Sequence, residues 1–595
     1  MGTTRGMRGA AAVALTAAVL IGCGDRKDRD ARDEQAVGTS GRSAATVAAV
    51  FNDGTPAFVG RDAEGVRLWK LTRQFYQKRD DAFAWIEDSK PRREMDELIG
   101  VLKEADREGL DPALYNVATL TARRQDAGRG FLTTKGFNET EAASMDVWLT
   151  YLYLTYASDV TNGLAGLSHA DPAWKLRDKR SDPGPVLEKA LAEHRVGESL
   201  RELLPDHQQY KQLREAYAKY REIAERGGWQ PVPADLKLKP GQSQPGVMAV
   251  ARRLAVTGDY TGTIDEQNPV YGTDLQEAVK RFQRRHGLEP DAVVGRAVVA
   301  QMNVPADARV EQIALNLERW RWLPRDLGDR HILVNLPEYR LEVWEKNQVP
   351  LSMRVVVGKK DTPTPIFADD MTYVVFSPYW NVPPDIVKNE TVPSALRDPA
   401  FLQRTNMEVL DKSGKPVDPS SIDMDSVREY RFRQRPGSSN SLGLVKFMFP
   451  NSYNVYLHDT PADSLFARAT RSFSHGCVRV EQPEKLAEYV LGDKPEWTPE
   501  RISEAMHAGT EKSVKLSQPL PVYLGYWTAR VSADGIVQFR DDLYDIDARQ
   551  MTLLTRTIEQ LKTQAAAAAM TFDRGNQSSP AADRNLLAST ATHPR

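Results

Sequence analysis

Apolar residues recur at every third or fourth position through the first part of the chain, a spacing typical of amphipathic helices. In the segment EMDELIGVLKEADREGL this spacing places Met95, Leu98, Ile99 and Leu102 on one helical face. Further along, AASMDVWLTYLYLTYASDV is apolar on most faces, which predicts a helix buried inside a bundle. We therefore expect an N-terminal α-helical scaffold domain over residues 61–240.

The hydrophobic period shortens to two after residue 329, where HILVNLPEYRLEVWEKNQ and LSMRVVVGK read as strands joined by turns. Alternation of this kind continues to residue 547, so residues 329–547 are predicted to form a β-rich domain. A polar stretch at 384–440 interrupts it and is long enough to be a functional insertion. The fold class is therefore multidomain α+β.

A Pro-rich linker follows the helical domain and leads into a compact helical unit at 246–304. Its sequence LQEAVKRFQRRHGLEPDAVVG resembles the peptidoglycan-binding type 1 domain, a small three-helix module. That family commonly has Asp-Gly where this chain has Asp291-Ala292. A row of basic residues on one helix could bind wall polymer or simply be solvated, and both interpretations stay open: Lys280, Arg281, Arg284 and Arg285.

The N-terminus has the form of an export signal. Two arginines precede an apolar run that is too short to span a bilayer, which predicts a signal peptide at 1–23. Its end, LIGC, resembles a bacterial lipobox, and this resemblance implies lipidation of Cys23 and an envelope location on the periplasmic side. Gly24 after that cysteine favours the outer membrane by the same resemblance. Plain cleavage near Gly22 or Gly24 is the alternative.

Two segments have compositions typical of disorder. Residues 24–60 are charged and then small and polar, which predicts a disordered tether. Residues 561–595, with an alanine run followed by Ser, Pro and Asn, are predicted to be a disordered tail. The folded part would then act at a distance from its anchor.

Charge and motif content narrow the function classes. The 595 residues include 79 basic and 81 acidic side chains, a balance that gives no field suited to nucleic acid. We find no metal-ligand spacing and no glycine-rich phosphate loop, so no cofactor or metal is expected.

Cys477 is the only cysteine beyond position 23. An unpaired thiol in an oxidising compartment is more often reactive than structural. Its surroundings are polar, with Ser474, His475 and Gly476 before it and Arg479 after it.

Strand alternation predicts a chemical site around this cysteine. In NVYLHDT, Tyr456 and His458 lie on one face, and in GCVRV, Cys477 and Arg479 share one face. If these strands are adjacent, one surface carries an imidazole, a thiol, a phenol and a guanidinium. A neighbouring imidazolium would lower the thiol pKa and populate the thiolate for acyl transfer.

The turn before the cysteine could supply the remaining element of that chemistry. Ser474, His475 and Gly476 can offer backbone N–H groups to an oxyanion, since glycine permits close approach. Spacing alone does not decide which histidine is the base, because His475 is nearer in sequence than His458.

HDT followed by SHGCVRV resembles the L,D-transpeptidase (YkuD) signature. The likeness extends to NLERWRWLP, VGKKDTPTPIF and RPGSSNSLGLVKFMFP, which look like the large multidomain members with a helical scaffold. The resemblance implies that Cys477 is the nucleophile, His458 the general base and acid, and residues 474–477 the oxyanion hole. Arg479 and Tyr456 match positions that line the site, and residues 384–440 match a lid over it.

By the same resemblance the substrates are peptidoglycan stem peptides, with a diaminopimelate-containing tetrapeptide as donor and an amine as acceptor in a 3→3 cross-link. Water as acceptor would instead give an L,D-carboxypeptidase, and a protein lysine would give attachment of a lipoprotein to the wall. A non-catalytic wall-anchoring lipoprotein is the alternative from another class.

Overall fold

The fold is described from a computed structural model. It describes residues 44–127, 136–164, 167, 171–176, 181–263, 265–418 and 424–575. Cys23, the predicted signal peptide and the first part of the predicted tether lie outside these residues.

The N-terminal domain is helical, as predicted. Its helices are 44–52, Ala63–Gln77, Arg93–Lys103, Val117–Asp126, Glu139–Asn162, Gly184–Ala192, Val196–Glu202 and Gln208–Glu225, with short 3-10 turns at Ala105–Glu108 and Pro112–Tyr115. Three short strands accompany them: β1 Ile86–Glu87, β2 Lys90–Pro91 and β3 Trp174–Lys175.

The central helix Glu139–Asn162 is buried along most of its length, which confirms the prediction from its apolar pattern. A capping box begins it: Asn138 Oδ1 accepts from the Glu141 N–H at 2.9 Å, and the Asn138 N–H donates to Glu141 Oε2 at 3.1 Å. The predicted apolar face of the helix Arg93–Lys103 is buried as well.

The tether prediction is wrong for residues 44–60. Residues 44–52 form a helix, Val47 is fully buried, and the Phe51 ring lies 4.7 Å from the Trp69 ring. The apolar residues at spacing three and four in this short stretch bury against the next helix.

The tail prediction is wrong for residues 561–575, because they belong to a helix over Ile546–Gly575. This helix lies against the N-terminal domain, where Lys562 pairs with Asp111 at 2.5 Å and Leu561 borders a cavity with Phe58. Among the described helices, none is both long and apolar enough to cross a membrane.

The middle module contains three helices, as predicted: Gly246–Val256, Thr273–Arg285 and Arg296–Met302. Its basic row is divided by the fold. Arg285 is buried and paired with Asp259 at 2.6 Å, whereas Arg284 is exposed. The helix Ala306–Arg321 then leads into the β-rich domain.

The C-terminal domain is built on strands, which confirms the predicted change of period. They are β4 Arg330–Asn335, β5 Arg340–Glu345, β6 Gln348–Gly358, β7 Ile366–Phe376, β8 Trp380–Asn381, β9 Met407–Leu410, β10 Pro416–Val417, β11 Arg431–Gln434, β12 Val445–Met448, β13 Leu457–His458, β14 Ser472–Ser474, β15 Val478–Val480, β16 Lys512–Gly525, β17 Ala529–Val531 and β18 Val537–Phe539. Helices Pro483–Val490 and Pro499–His507 lie between β15 and β16.

The main sheet runs β12-β13-β15-β6-β5-β4-β16-β7-β3, and an additional pairing of β12 with β7 closes it into a circuit. Because β13 and β15 are parallel neighbours, two segments far apart in sequence are fixed in register at Leu457 with Val478 and His458 with Arg479. The core lies on the side of Leu457 and Val478, both fully buried.

The insertion 384–440, hereafter the lid, folds as a unit with its own small core. It contains helical turns at Pro384–Ile386, Val387–Thr391, Val392–Arg397, Phe401–Arg404 and Met424–Glu429, and β8, β9, β10 and β11 pair into a separate four-stranded sheet. The interpretation of 384–440 as a polar insertion did not predict this sheet. Val387, Val409 and Phe432 are among the residues of its core.

Candidate active site

Strands β13 and β15 carry the predicted residues on one surface. Since Leu457 and Val478 point into the core, strand alternation places Tyr456, His458, Cys477 and Arg479 on the opposite side, here called the cysteine face. This confirms the predicted adjacency. Tyr456 and His458 also contact each other edge to face, with ring centroids 5.8 Å apart.

His458 is held in one tautomer. Its Nδ1 lies 2.5 Å from the Asp459 carbonyl oxygen, and because a carbonyl only accepts, a proton on Nδ1 makes this bond and leaves the lone pair on Nε2. The Leu442 carbonyl also lies near the ring and raises its pKa. The ring is 4 % exposed. Burial, aided by the charges of Arg479 and Lys446, lowers the His458 pKa to about 3. The imidazole is therefore neutral at pH 7 and ready to accept a proton.

The prediction that an imidazolium lowers the thiol pKa is wrong for this arrangement. Burial raises the pKa of Cys477, while hydrogen bonds from the Tyr456 backbone and hydroxyl and the charge of Arg479 act in the opposite direction. A buried neutral His458 cannot provide the predicted positive charge, because desolvation disfavours its protonated form. At rest Cys477 is a thiol, which donates to the Asn454 carbonyl at 3.8 Å, and His458 is a neutral imidazole.

The turn before Cys477 is fixed by hydrogen bonds. The Ser474 hydroxyl donates to the Cys477 carbonyl at 2.6 Å and accepts from the Gly476 N–H at 3.1 Å. Thr364 Oγ1 donates to the Gly476 carbonyl at 2.8 Å. Gly476 adopts φ of +117°, a left-handed value that favours glycine.

The Gly476 N–H is thus already used inside the turn. The backbone N–H groups of His475 and Cys477 make no hydrogen bond within the part of the chain that the structure describes. They are the donors that the turn can offer to a developing oxyanion.

His475 faces the lid. Its Nε2 lies 2.6 Å from Glu390 Oε1, and its side chain is about one-third exposed. The two histidines that spacing could not separate therefore have different surroundings: His458 is buried on the cysteine face, and His475 joins the turn before Cys477 to the lid.

Lys446 is a site residue that the sequence reasoning missed. It lies on β12 directly opposite His458, so Lys446, His458 and Arg479 form one cross-strand row. Burial lowers the pKa of Lys446, and its ammonium group makes no hydrogen bond or ion pair among the described residues. The alternation in LVKFMF, with Val445 and Phe447 buried, was the available signal.

Asp459 was also missed. Its carboxylate accepts from the Leu444 and Thr460 N–H groups, each at 2.7 Å, and so fixes the approach to β13. Gly443 permits this contact, because a Cβ there would lie 2.3 Å from the Asp459 carboxyl carbon. The carbonyl that orients His458 is held in place by these bonds.

Arg479 has an unused donor as well. Its Nε is buried and has no hydrogen-bond partner within the described residues. Arg479 and Lys446 together give the cysteine face a cationic border suited to a carboxylate. No group of three or more His, Cys, Asp or Glu side chains among the described residues is placed to hold a metal ion.

Comparison with known proteins gives this site its family. Residues 329–514 match the family model of the L,D-transpeptidase catalytic domain (YkuD), residues 243–302 match the "Putative peptidoglycan binding domain", and residues 70–216 match the scaffold domain. The chain therefore contains a YkuD-type L,D-transpeptidase catalytic domain attached to a scaffold domain and a peptidoglycan-binding domain.

A curated relative and two solved structures were also found. The "Putative L,D-transpeptidase" of Haemophilus influenzae is 36 % identical over 248 residues, which cover 41 % of this chain and 49 % of the relative. This chain thus spans about half the length of the curated relative that it matches.

The L,D-transpeptidase of Xylanimonas cellulosilytica DSM 15894 is 17 % identical, covering 50 % of this chain and 100 % of that one, with a TM-score of 0.16. The Ldtfm-avibactam carbamoyl enzyme is 14 % identical, covering 37 % of this chain and 64 % of that one, with a TM-score of 0.15. Neither of these two likenesses adds to the family match.

Proposed function

We propose that this protein is a peptidoglycan L,D-transpeptidase that forms 3→3 cross-links through a thioester on Cys477. The observation that carries the proposal is the β13–β15 pairing, which places Tyr456, His458, Cys477 and Arg479 on one face of a domain that matches the L,D-transpeptidase family. The donor is a tetrapeptide stem, and the acceptor is the side-chain amine of a second stem.

Acylation begins from the neutral pair. As the Cys477 sulfur attacks the carbonyl carbon at the L-centre of diaminopimelate, its proton passes to His458 Nε2, the nitrogen left free by the Asp459 carbonyl. The Tyr456 hydroxyl stabilises the thiolate as it forms, since its hydrogen bond lowers the thiol pKa. The N–H groups of His475 and Cys477 receive the oxyanion.

Collapse of the tetrahedral intermediate breaks the C–N bond, and His458 returns its proton to the leaving D-alanine amine. The acceptor amine then attacks the thioester carbon. His458 takes the proton of that amine and delivers it to the departing sulfur, so that the thiol is restored and an amide has replaced the thioester. Lys446 and Arg479 supply the charge that holds a stem carboxylate beside the reacting carbon.

The lid favours an amine over water as acceptor. Glu390 of the lid reaches His475 of the catalytic turn, so the lid covers this end of the cysteine face. Exclusion of water protects the thioester from hydrolysis. With a less effective lid, the same acyl-enzyme would act as an L,D-carboxypeptidase, and with a protein lysine as acceptor it would attach a lipoprotein to the wall.

We place the protein in the cell envelope, on the periplasmic side, anchored by lipid at Cys23 and facing the wall from the outer membrane. The lipobox-like LIGC supports the anchor. A wall-anchoring lipoprotein without catalysis would need the anchor and the peptidoglycan-binding domain but would have no use for the oriented His458.

Mass spectrometry tests the proposal. A carbapenem should acylate Cys477 and add its mass to the peptide that contains residue 477. Purified stem-peptide substrates should yield a 3→3 dimer, whereas loss of D-alanine without dimer would indicate the carboxypeptidase. A folded protein that gives neither adduct nor product would refute the proposed enzyme.

A further inference from the structure

A cleft of about 350 Å³ lies where the peptidoglycan-binding domain meets the catalytic domain. Residues 284–290 form one wall, the β4–β5 turn at 337–340 and the segment Ala467–Arg471 form the other, and residues around Arg540 close the end. None of the cysteine-face residues lines it. The volume is in the range of pockets that bind small ligands, about 300 to 1,000 Å³.

Arginine dominates the lining of this cleft. Six arginines line it: Arg284, Arg340, Arg354, Arg468, Arg471 and Arg540. Three of them already face carboxylates, in the pairs Arg340 with Glu342, Arg354 with Glu481 and Arg540 with Glu338. The remaining three arginines determine whether the cleft carries a positive charge that a ligand could neutralise.

Arg284, Arg468 and Arg471 have no carboxylate within 4 Å among the described residues. The Arg471 guanidinium donates only to backbone carbonyls, including those of Arg468 at 2.6 Å and Tyr339 at 3.3 Å. Burial and the nearby charge of Arg354 lower the Arg471 pKa, and the charges of Tyr339 and Glu481 oppose this only in part. Arg284 stands on the opposite wall, on the peptidoglycan-binding domain.

The acidic residues of the lining do not neutralise these three arginines. Glu338 is also the ion-pair partner of Arg530, at 2.7 Å. Asp541 accepts from Gln301 at 2.6 Å, and Glu289, which also lines the cleft, is exposed and forms no ion pair within 4 Å with a described residue. Two walls therefore present guanidinium groups to a common space.

The two walls are held together by contacts between the domains. Arg540 Nη1 donates to the Arg285 carbonyl at 2.9 Å, and the His286 ring stacks on Phe539 at 5.6 Å. Gly287, with φ of +68°, allows this approach, since a Cβ there would lie 3.1 Å from Arg540 Cδ. A cleft with fixed walls loses little entropy when it binds.

We propose that this cleft binds carboxylates of peptidoglycan stem peptides that are not reacting at Cys477. Guanidinium groups match carboxylates in two-point geometry, and stems repeat along a glycan strand, so a strand can reach the cleft and the cysteine face together. The segment Ala467–Arg471 continues directly into β14 and the catalytic turn, so a bound strand would lie against the catalytic domain. The choice of polymer rests on the proposed function.

Binding of the full chain to purified sacculi tests this inference, with Cys477→Ala present so that no turnover occurs. In a co-sedimentation titration, Arg284→Glu with Arg468→Glu should weaken binding about tenfold, since two charge-assisted contacts are lost. The matched control is Arg296→Glu with Lys485→Glu, the same change of charge at exposed positions outside the cleft, and it should stay within about twofold.

Glu289→Lys replaces a negative charge in the lining with a positive one and should tighten binding to sacculi. A misfolded variant would not show such an increase in affinity. A second test uses sacculi whose carboxylates have been converted to amides. These amidated sacculi should bind the parent protein and the double variant equally weakly. Equal binding of native and amidated sacculi, unchanged binding by the double variant, or stronger binding to vesicles of anionic phospholipid would each overturn the inference.

A second measurement separates this inference from the proposed function. With Cys477 intact, Arg284→Glu with Arg468→Glu should cross-link soluble disaccharide-tetrapeptides within about twofold of the parent rate, because so small a substrate needs only the cysteine face. If the parent protein binds sacculi through the cleft but never cross-links them, the proposed transpeptidase activity is refuted and the proposed binding cleft stands. A double variant that loses the soluble reaction as well would contradict a separate site.

Discussion

Two buried charged groups, Asp146 in the helical domain and Arg479 on the cysteine face, differ in how fully their hydrogen bonds are satisfied. In the helical domain, Asp146 is fully buried and accepts four hydrogen bonds, from the Tyr76 hydroxyl at 2.6 Å and the N–H groups of Ala84, Trp85 and Ile86 at 2.8 to 3.0 Å. On the cysteine face, Arg479 Nε has no hydrogen-bond partner among the described residues. The Lys446 ammonium group makes no hydrogen bond among them, and only the charge of Glu511 opposes the effect of burial on its pKa.

The contrast distinguishes a buried group whose hydrogen bonds the fold satisfies from one that keeps a donor free for a ligand. An unpaired buried polar group lowers stability. Such groups also occur elsewhere among the described residues, for example at Thr121 and Arg214 of the helical domain, but Arg479 is the one on the cysteine face. The four donors around Asp146 satisfy its carboxylate, so it has no hydrogen-bonding capacity left for a ligand. The cations beside His458 still lack hydrogen-bond partners that a ligand could supply. The predictions that follow test this contrast in order of their effect on the reaction.

Cys477→Ala should abolish both the carbapenem adduct and the cross-linked product, because no other group in the motif can form the thioester. The melting temperature should stay within a few degrees of the parent, since the change removes one sulfur atom. Product analysis by mass spectrometry and a thermal melt check both statements. Turnover by this variant would remove the cysteine from the mechanism.

His458→Ala should slow acylation by about 10² to 10⁴-fold, the usual contribution of a positioned general base. His475→Ala should slow it less than about tenfold, because His475 contacts the lid and does not hold the base position. The rate of adduct formation measures both. If the two variants ranked in the opposite order, the base would be His475.

Alkylation of Cys477 by iodoacetamide should quicken about tenfold per pH unit up to at least pH 9, because only the thiolate reacts. Burial raises the thiol pKa, so the thiolate fraction is small at neutral pH and grows as pH rises. Arg479→Met removes a charge that lowers this pKa, so alkylation at pH 8 should slow. A rate plateau beginning below pH 7 would instead reveal a preformed thiolate–imidazolium pair.

Lys446→Met should reduce the acylation rate about tenfold and raise the melting temperature by about 2 to 4 °C. The opposite signs arise because an unpaired, poorly solvated ammonium group binds a substrate carboxylate but destabilises the free protein. Lys515→Met, at an exposed position on β16, serves as the control and should change neither value. A Lys446→Met protein that is less stable than the parent would show that this lysine is structural.

Asp146→Asn should destabilise the helical domain by about 2 kcal/mol while leaving the acylation rate unchanged. An amide has one acceptor oxygen and would direct its NH₂ group at donors that now face a carboxylate. Asp96→Asn is the matched control, because Asp96 forms an exposed pair with Arg124 and should cost less than about 1 kcal/mol. Denaturant unfolding distinguishes them.

The sequence predicted the elements with strong periodicity and the motif with alternating faces. The buried helix Glu139–Asn162, the change to strands after residue 329 and the shared face of Tyr456, His458, Cys477 and Arg479 all follow from local spacing. These features depend on residues that are near one another in the chain or in one sheet register.

The features that were missed depend on tertiary contacts. The thiol pKa was predicted to fall because the charge of His458 was assumed, whereas the depth of burial that keeps it neutral is set by surrounding elements. Lys446 gains its role only when β12 pairs with β13. The tether and tail predictions failed at residues 44–60 and 561–575 because their composition suits solvent until a partner helix is present.

The helix Ile546–Gly575 has a consequence for synthesis. Arg319, which is fully buried, takes its carboxylate partner from Asp547 at 2.7 Å, and Lys562 reaches back to Asp111. The helical domain is translated first, but its contacts with this helix, such as Asp111 with Lys562, can form only after the residues beyond 546 have been translated. A chain halted before this helix would lack these contacts, so we expect proteases to cleave its helical domain faster than that of the full chain.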